Sequence, residues 1–469
     1  MSKRFQLAMN DCLIQNATAV LTGLPGDGAR LPHGQGDVRV RNGKIFSIGA
    51  LVPEPGEVVY DASNRVLAPG WVNTHHHLFQ SLLKGVPAGL NARLADWLAA
   101  VPVRHRRAFD HEALFRLAVR VGLSELLASG CTTVADHQYH HYPGMPFDPT
   151  AVVFDEADKL GLRMVVCRGL ATQVRQIDAT PSPQIAPEPL DLFFRRVADD
   201  AARFNDTAPD AMRRVAVAPT TPNWSVRPDE LREIARFARS LDLRMHSHLS
   251  ETADYGRHTA EVYGCTPLAF VEQHEWVGPD VWFAHLVWME ESEQRLLAQS
   301  GTGMAHCPQC NARLGSGTAP VVELLRLGGK VSLGVDGAAS NEAADMLSEV
   351  HMAYLMHRLR HGPDALSTDD VVRMATAGGA EVLGLPGIGT LEIGQAADLA
   401  SYRLDSAAAI GLHDPGSAPV LCGRALQTDT VWVSGQPVLI DGEIPGLDRA
   451  RLAAHAREAV QHIVHTVAG

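Results

Sequence analysis

At 469 residues the chain exceeds one typical domain, and with 46% hydrophobic and 20% charged residues its composition excludes disordered and fibrous classes. The net charge of −12 is spread without long acidic or basic runs, so no nucleic-acid partner is expected. Met1-Ser-Lys-Arg-Phe-Gln-Leu lacks an apolar signal core, and no later apolar run approaches the roughly 20 residues that cross a bilayer; the expectation is a cytoplasmic protein with no membrane partner.

From Cys12 to about Tyr60, short apolar stretches broken by Gly and Pro read as small β structure: Leu13 to Leu21, Val38 to Val40, Lys44 to Ile48, Val58 to Tyr60. Arg65 to Ala68 reads as a strand that ends at Pro69-Gly70 and leads to His75-His76-His77. Residues two apart on an extended chain point the same way, so His75 and His77 converge while His76 faces away. From here strands alternate with amphipathic helices. Asp110 is a candidate N-cap for a helix with apolar positions Leu114, Leu117, Ala118, Val121 and Leu126, which ends at Gly130.

Further strands are predicted at Cys131 to Ala135, Arg163 to Cys167, Arg214 to Ala218, Leu243 to Ser247, Val281 to Ala284, Gly303 to Ala305 and Val331 to Val335. Helices are predicted at Asp229 to Ser240, Glu291 to Gln299, Ala343 to about Arg360 and Thr368 to Leu383. With the strand at Val66 this makes about eight β/α units, and a (β/α)₈ barrel of roughly 250 residues is the natural reading. Beyond Pro386 the pattern returns to β, with Ala397 to Tyr402 and a hairpin of Thr428 to Val433 and Val438 to Ile440 around Ser434-Gly435-Gln436; a helix covers Ala450 to Val464. The expected fold is therefore an α/β distorted TIM barrel (67–385) beside a small β-sandwich-like domain formed by both chain ends (1–66 and 386–469).

Barrel enzymes carry their reactive groups at the C-terminal ends of the strands. There the sequence places His75 and His77, His248 with Glu251 three residues on, His285, and Asp336. His75, His77, His248 and Asp336 offer three nitrogens and one carboxylate oxygen, which suits one divalent ion, Zn²⁺ before Fe²⁺. Such an ion lowers the pKa of bound water toward 7, so hydrolysis is the reaction class. Glu251 fits a proton carrier, His285 a group that holds the hydroxide or polarises substrate, and Asp336 an acceptor of the water's proton. Two-metal arrangements usually need an additional bridging ligand, often a carboxylated lysine at the end of the fourth strand, and the lysines here are only Lys3, Lys44, Lys84, Lys159 and Lys330. The seven cysteines, an odd number, fit free thiols; only Cys307-Pro308-Gln309-Cys310 has metal or redox spacing, and it lacks a second pair.

Together, Pro69-Gly70, His75-x-His77, His248-Leu249-Ser250-Glu251-Thr252, His285, His306-Cys307-Pro308-Gln309-Cys310-Asn311 and Gly334-Val335-Asp336-Gly337 resemble the amidohydrolase superfamily, in its cytosine and guanine deaminase branch. The resemblance covers essentially the whole chain, including Gly389-Thr390-Leu391-Glu392 to Asp398 in the β body. It implies a distorted barrel, one catalytic ion and the roles given above. It places the cysteine pair on the seventh barrel strand; Cys310 departs from the Ser of many relatives. The stretches Asn73 to Leu82, Pro87 to Ala92, Ala135-Asp136-His137, Tyr142 to Met145 and Arg168 to Gln176 are most similar to the isoxanthopterin deaminases, and next to the 8-oxoguanine deaminases.

The implied function is deamination of an oxo-substituted pterin with release of ammonia. Alternatives are deamination of 8-oxoguanine, another purine or isocytosine, and hydrolysis of an aminated or chlorinated triazine. A non-catalytic metal-binding relative is disfavoured by the intact Glu251, His285 and Asp336. A small heterocyclic amine is thus the expected partner, and a homodimer the expected assembly. A fused ring needs polar groups along its edge and an apolar wall on its face. Gln80 is a candidate for the edge or a surface glutamine, Trp97 a stacking wall or core residue, and Arg175 with Gln176 a reader of a ring carbonyl or a structural pair. Tyr142 is a further substrate-side candidate.

Overall fold

The computed structural model describes residues 11–173 and 186–468. Six strands, β1 (Cys12–Gln15), β2 (Ala19–Val20), β3 (Asp37–Arg41), β4 (Lys44–Gly49), β5 (Val59–Asp61) and β6 (Arg65–Pro69), come first. Eight follow: β7 (Trp71–His76), β8 (Cys131–Gln138), β9 (Arg163–Leu170), β10 (Arg213–Pro219), β11 (Arg244–Leu249), β12 (Val281–His285), β13 (Gly303–His306) and β14 (Lys330–Leu333). The last three are β15 (Leu399–Arg403), β16 (Gln427–Val433) and β17 (Gln436–Leu439).

Strands β7 to β14 lie in chain order in one parallel sheet. β8 and β9 are buried at every position, as a sheet covered on both faces requires, and the polar residues they carry, such as Asp136, His137 and Arg168, are buried with them. The two edges meet beyond regular pairing. The Asp336 N–H donates to the His75 carbonyl at 2.9 Å and the Thr74 hydroxyl to the Leu333 carbonyl at 2.9 Å, so the barrel is nearly closed and distorted at this seam. Outer helices such as Pro149–Leu160, Pro228–Ser240 and Glu291–Ser300 turn apolar stripes onto the strands; the first is capped by Asp148, which accepts from the Ala151 N–H.

The chain ends form two further sheets, β4-β3-β1-β5 and β17-β16-β15-β6-β2. β6 from one end pairs antiparallel with β15 from the other, Leu399 opposite Pro69. Ile14, Val38, Val40, Leu67, Leu399 and Trp432 share the core of this body. The hairpin β16–β17 turns at Ser434 (φ 46°) and Gly435 (φ 74°), both left-handed as a two-residue hairpin turn demands. Arg163 of β9 clamps the body to the barrel, its guanidinium donating to both Asp398 oxygens with both side chains buried.

Three expectations are corrected. Arg65–Pro69, read as the first barrel strand, belongs to the end sheet as β6; His75 and His76 ride on β7 and His77 stands just past its end. Proline has no N–H to donate, and a Cβ at Gly70 would stand 2.1 Å from the Thr132 methyl, so this pair is where the chain passes from one sheet into the other. Asp110 does not cap the helix Glu112–Ala128, whose N-cap is His111; its carboxylate instead meets Arg107 at 3.1 Å and His140 at 3.2 Å. The stretch from Thr368 to Leu383 is two helices, Thr368–Ala375 and Ala377–Leu383, broken at Thr376 (φ −127°, ψ −93°). Gly379 then packs so closely on Val72 that a Cβ would lie 2.7 Å from it.

Candidate active site

The strand ends deliver the four expected ligands to one buried point. His75, His77, His248 and Asp336 each offer an atom within 4.8 Å of the others. The Asp336 Oδ1 stands 3.3 Å from His75 Nε2 and 3.2 Å from His77 Nε2. His76 points away, its ring lying beside Gly122 of the neighbouring helix, as the alternation of a strand dictates.

The outer nitrogens fix the tautomers. His77 Nδ1 bonds the His137 carbonyl at 2.9 Å and His248 Nδ1 bonds the Thr220 carbonyl at 2.6 Å, so both Nδ1 atoms carry protons. Their Nε2 atoms then face each other at 3.1 Å as lone pairs. Burial, first, and neighbouring charges push His248 well below its usual pKa, so a proton is a poor bridge between them and a cation a good one. His75 is oriented in two steps: His246 Nδ1 donates to the Trp282 carbonyl at 3.0 Å, and His246 Nε2 accepts from His75 Nδ1 at 2.8 Å. That leaves the buried His75 Nε2 with no protein hydrogen bond, aimed at the common point. The donor set therefore fits a divalent ion. Although burial alone raises the Asp336 pKa, the surrounding imidazoles hold it well below the usual carboxylate range.

Beside this set stand Glu251 and His285, with Glu251 Oε2 3.8 Å from His285 Nε2. Asn311 Oδ1 meets His285 Nδ1 at 3.1 Å, which leaves Nε2 as the lone pair toward Glu251. Cys310 joins them: one atom each of Glu251, His285 and Cys310 lies within 4.8 Å of the others. Ser250 (φ 51°), His285 (φ 75°), Leu286 (φ 49°) and Asp336 (φ 64°) are all left-handed without being glycine. Such backbone is held only where surrounding structure over-determines it, and here it falls on the strand ends that carry the reactive groups.

Gln80 is buried beside the site. Its Nε2 donates to the Tyr139 hydroxyl at 2.8 Å, while its Oε1 has no partner and packs so closely on Gly337 that a Cβ there would lie 2.1 Å away. Trp97 is buried, donating to the Ala339 carbonyl at 3.2 Å in the segment just after Asp336. Tyr142 is not brought to the metal set: its ring neighbours are Arg107 at 5.1 Å and His140 at 5.9 Å. Arg175 and Gln176 lie outside the described residues. An open groove of about 860 Å³ runs along the rim past Arg257, Trp288 and Thr318 and is lined by none of the four ligands.

Sequence reasoning missed His246, Tyr139 and Arg106, and met His137 and Asn311 only inside longer motifs, with no role of their own. His246 was detectable, since His246-Ser-His248 repeats the i, i+2 spacing of His75 and His77. Arg106 comes from a segment with no periodic signal. Its guanidinium donates to the Tyr139 carbonyl at 2.7 Å and to His140 Nδ1 at 3.3 Å, on the Gln80 side of the site.

A converging His₃Asp set at the mouth of a parallel eight-stranded barrel, with a carboxylate and an imidazole beside it, is the arrangement of a metal-dependent hydrolase. The chain belongs to the amidohydrolase family, whose model matches residues 66–438. It is 51% identical to an isoxanthopterin deaminase from an unknown prokaryotic organism, over 97% of this chain and 98% of that protein. It is 35% identical to the 8-oxoguanine deaminase of Pseudomonas aeruginosa, over 97% of this chain and 100% of that protein. Among solved structures, an amidohydrolase from a Sargasso Sea environmental sample superposes with a TM-score of 0.85 at 47% identity, covering 98% of this chain and 100% of that one. A zinc complex of an atrazine chlorohydrolase from Arthrobacter aurescens TC1 gives 0.88 at 29% identity, covering 96% and 100%.

Proposed function

We propose that this protein is an aminohydrolase that deaminates an oxo-substituted pterin of the isoxanthopterin type, with release of ammonia. The observation that carries the reading is the likeness to an isoxanthopterin deaminase along nearly the whole chain, supported by an intact acid–base pair beside an intact ligand set. His75, His77, His248 and Asp336 would hold one divalent ion, Zn²⁺ before Fe²⁺, and such an ion supplies a water acidified to near neutrality.

The chain's own residues supply the rest. Asp336 accepts a proton from the attacking water, and Glu251 carries protons to the ring nitrogen beside the amine-bearing carbon and then to the leaving amine. His285, its Nδ1 held by Asn311, polarises the reacting centre. Gln80 reads the ring edge: Tyr139 fixes its amide so that Oε1 is left to accept a ring N–H. Trp97 backs the segment after Asp336, and Arg175 and Gln176 remain candidates for a ring carbonyl.

The test is ammonia release by zinc-loaded enzyme from isoxanthopterin, pterin, 8-oxoguanine, guanine, isocytosine, cytosine and a hydroxylated aminotriazine. Rapid release from isoxanthopterin above the rest is expected. Turnover confined to the purines, to a single-ring substrate or to a triazine would overturn the pterin assignment. No helix among the described residues is long and apolar enough to cross a membrane. Seven free cysteines support a cytoplasmic setting. Leu355 and Leu359, one turn apart on the helix Met346–His361 and 46% and 91% exposed, support a homodimer, which light scattering checks.

A further inference from the structure

We propose that Glu251, His285 and Cys310 form a second, inhibitory metal site that takes a thiophilic divalent cation, Zn²⁺ or Cd²⁺. Their ligand atoms lie within 4.8 Å of one another, and the three side chains are buried at 4%, 1% and 0% exposure. Zinc bonds of about 2.0–2.2 Å to nitrogen and oxygen set tetrahedral ligands roughly 3.3–3.5 Å apart, so Glu251 and His285, at 3.8 Å, need to close by only a few tenths of an ångström. Asn311 holds the proton on the far side of His285, so the facing nitrogen presents a lone pair.

Cys310 enters the cluster from the short helix Pro308–Arg313 that follows β13. Cys307 does not accompany it: its thiol turns back to the Ala305 carbonyl at 3.5 Å. The Cys-x-x-Cys spacing therefore does not act as a pair, and Cys310 finds its partners on β12 and on the segment after β11. A thiolate with an imidazole and a carboxylate selects zinc or cadmium over magnesium or calcium. The thiol S–H bond breaks, a sulfur–metal bond forms and the proton leaves to solvent, with no change of oxidation state. Thiolate and carboxylate together neutralise the dication. That lets it sit near the catalytic set, whose His248 ring lies 5.5 Å from the His285 ring.

The binding half of this inference stands on geometry alone. The inhibitory half rests on the proposed function, because an ion here withdraws Glu251 and His285 from proton transfer. The experiment titrates protein already holding one zinc per chain with Cd²⁺, reading metal stoichiometry after equilibrium dialysis and the ultraviolet thiolate-to-metal charge-transfer band. The first ligand set contains no sulfur, and the chain's other free thiols include the partly exposed Cys265 and Cys422, so the part of the band lost in Cys310→Ser reports the second site. Wild type is expected to take a second equivalent with the band and to lose ammonia release as it binds. Cys310→Ser is expected to keep the first equivalent, show no band and need at least tenfold more Cd²⁺ to halve its own cadmium-free rate. Glu251→Gln, which keeps the thiol, should weaken the second equivalent at least tenfold. Saturation at one equivalent without a band, or a band that persists undiminished in Cys310→Ser, overturns the site. A second equivalent with the band but undiminished turnover overturns the inhibitory role alone.

Discussion

His246 touches no substrate, yet it holds the lone pair of His75 on the metal axis. In His246→Phe a flat ring can still stack on Trp282, 4.5 Å between centroids at 18° in the wild type, while the acceptor for the His75 Nδ1–H and the donor to the Trp282 carbonyl are both lost. A buried donor left without a partner costs about 1–3 kcal/mol. That cost falls on folding; on the ion, removing an outer partner of a metal-ligating histidine typically lowers affinity about 10–100-fold, or roughly 1.4–2.8 kcal/mol. His246→Gln places an amide oxygen near the position of Nε2 and should recover most of the loss. Competition against a chelator, read as zinc retained per chain, distinguishes the three proteins. Equal zinc affinity in wild type and His246→Phe would refute the reasoning, because a merely packed ring would be replaced by phenylalanine without effect on the ion.

Glu251→Gln should retain one metal per chain and lower kcat about 10²–10⁴-fold, the usual range for a proton carrier; near-normal turnover with metal bound would remove that role. Asp398→Ala strands the buried Arg163 guanidinium between barrel and end sheets and should cost about 3–5 kcal/mol, seen as a lower urea midpoint; an unchanged midpoint would show that the clamp is dispensable. Burial, and after it the Asp148 charge, raise the Asp200 carboxyl from 3.8 to about 6. Between those values the unfolded chain ionises while the folded chain does not, so wild type loses stability as pH rises, by roughly 3 kcal/mol in all. Asp200→Asn lacks that titration and should gain on wild type from pH 4 to 6.5 and hold its advantage above; parallel denaturation profiles would contradict this.

Much of the site was legible because strands impose a period of two and barrels collect function at one end. His75, His77, His248, Glu251, His285 and Asp336 were each readable as a polar residue closing an apolar run. The outer layer was not readable in the same way. Tyr139 and Gln80 meet across 59 positions, and His246 and His75 across 171, through side-chain contacts that carry no local pattern. Tyr142, named as a substrate-side candidate, packs against Arg107 and His140, since its loop turns after β8 in a direction that composition does not encode.

Local sequence alone determined the alternation of strands and helices, the hairpin at Ser434-Gly435 and the residue types of the metal set. These follow from periodicity, turn chemistry and ligand preference, each acting over a few residues. Only the tertiary structure decided that Arg65–Pro69 pairs with Leu399–Arg403 rather than with the barrel. It alone brought Cys310 to Glu251 and His285, and it alone left three Nε2 lone pairs facing one buried point. Strand partners and histidine tautomers are set by distant carbonyls and by what remains to be buried once the chain has closed, and neither is written in any single stretch of residues.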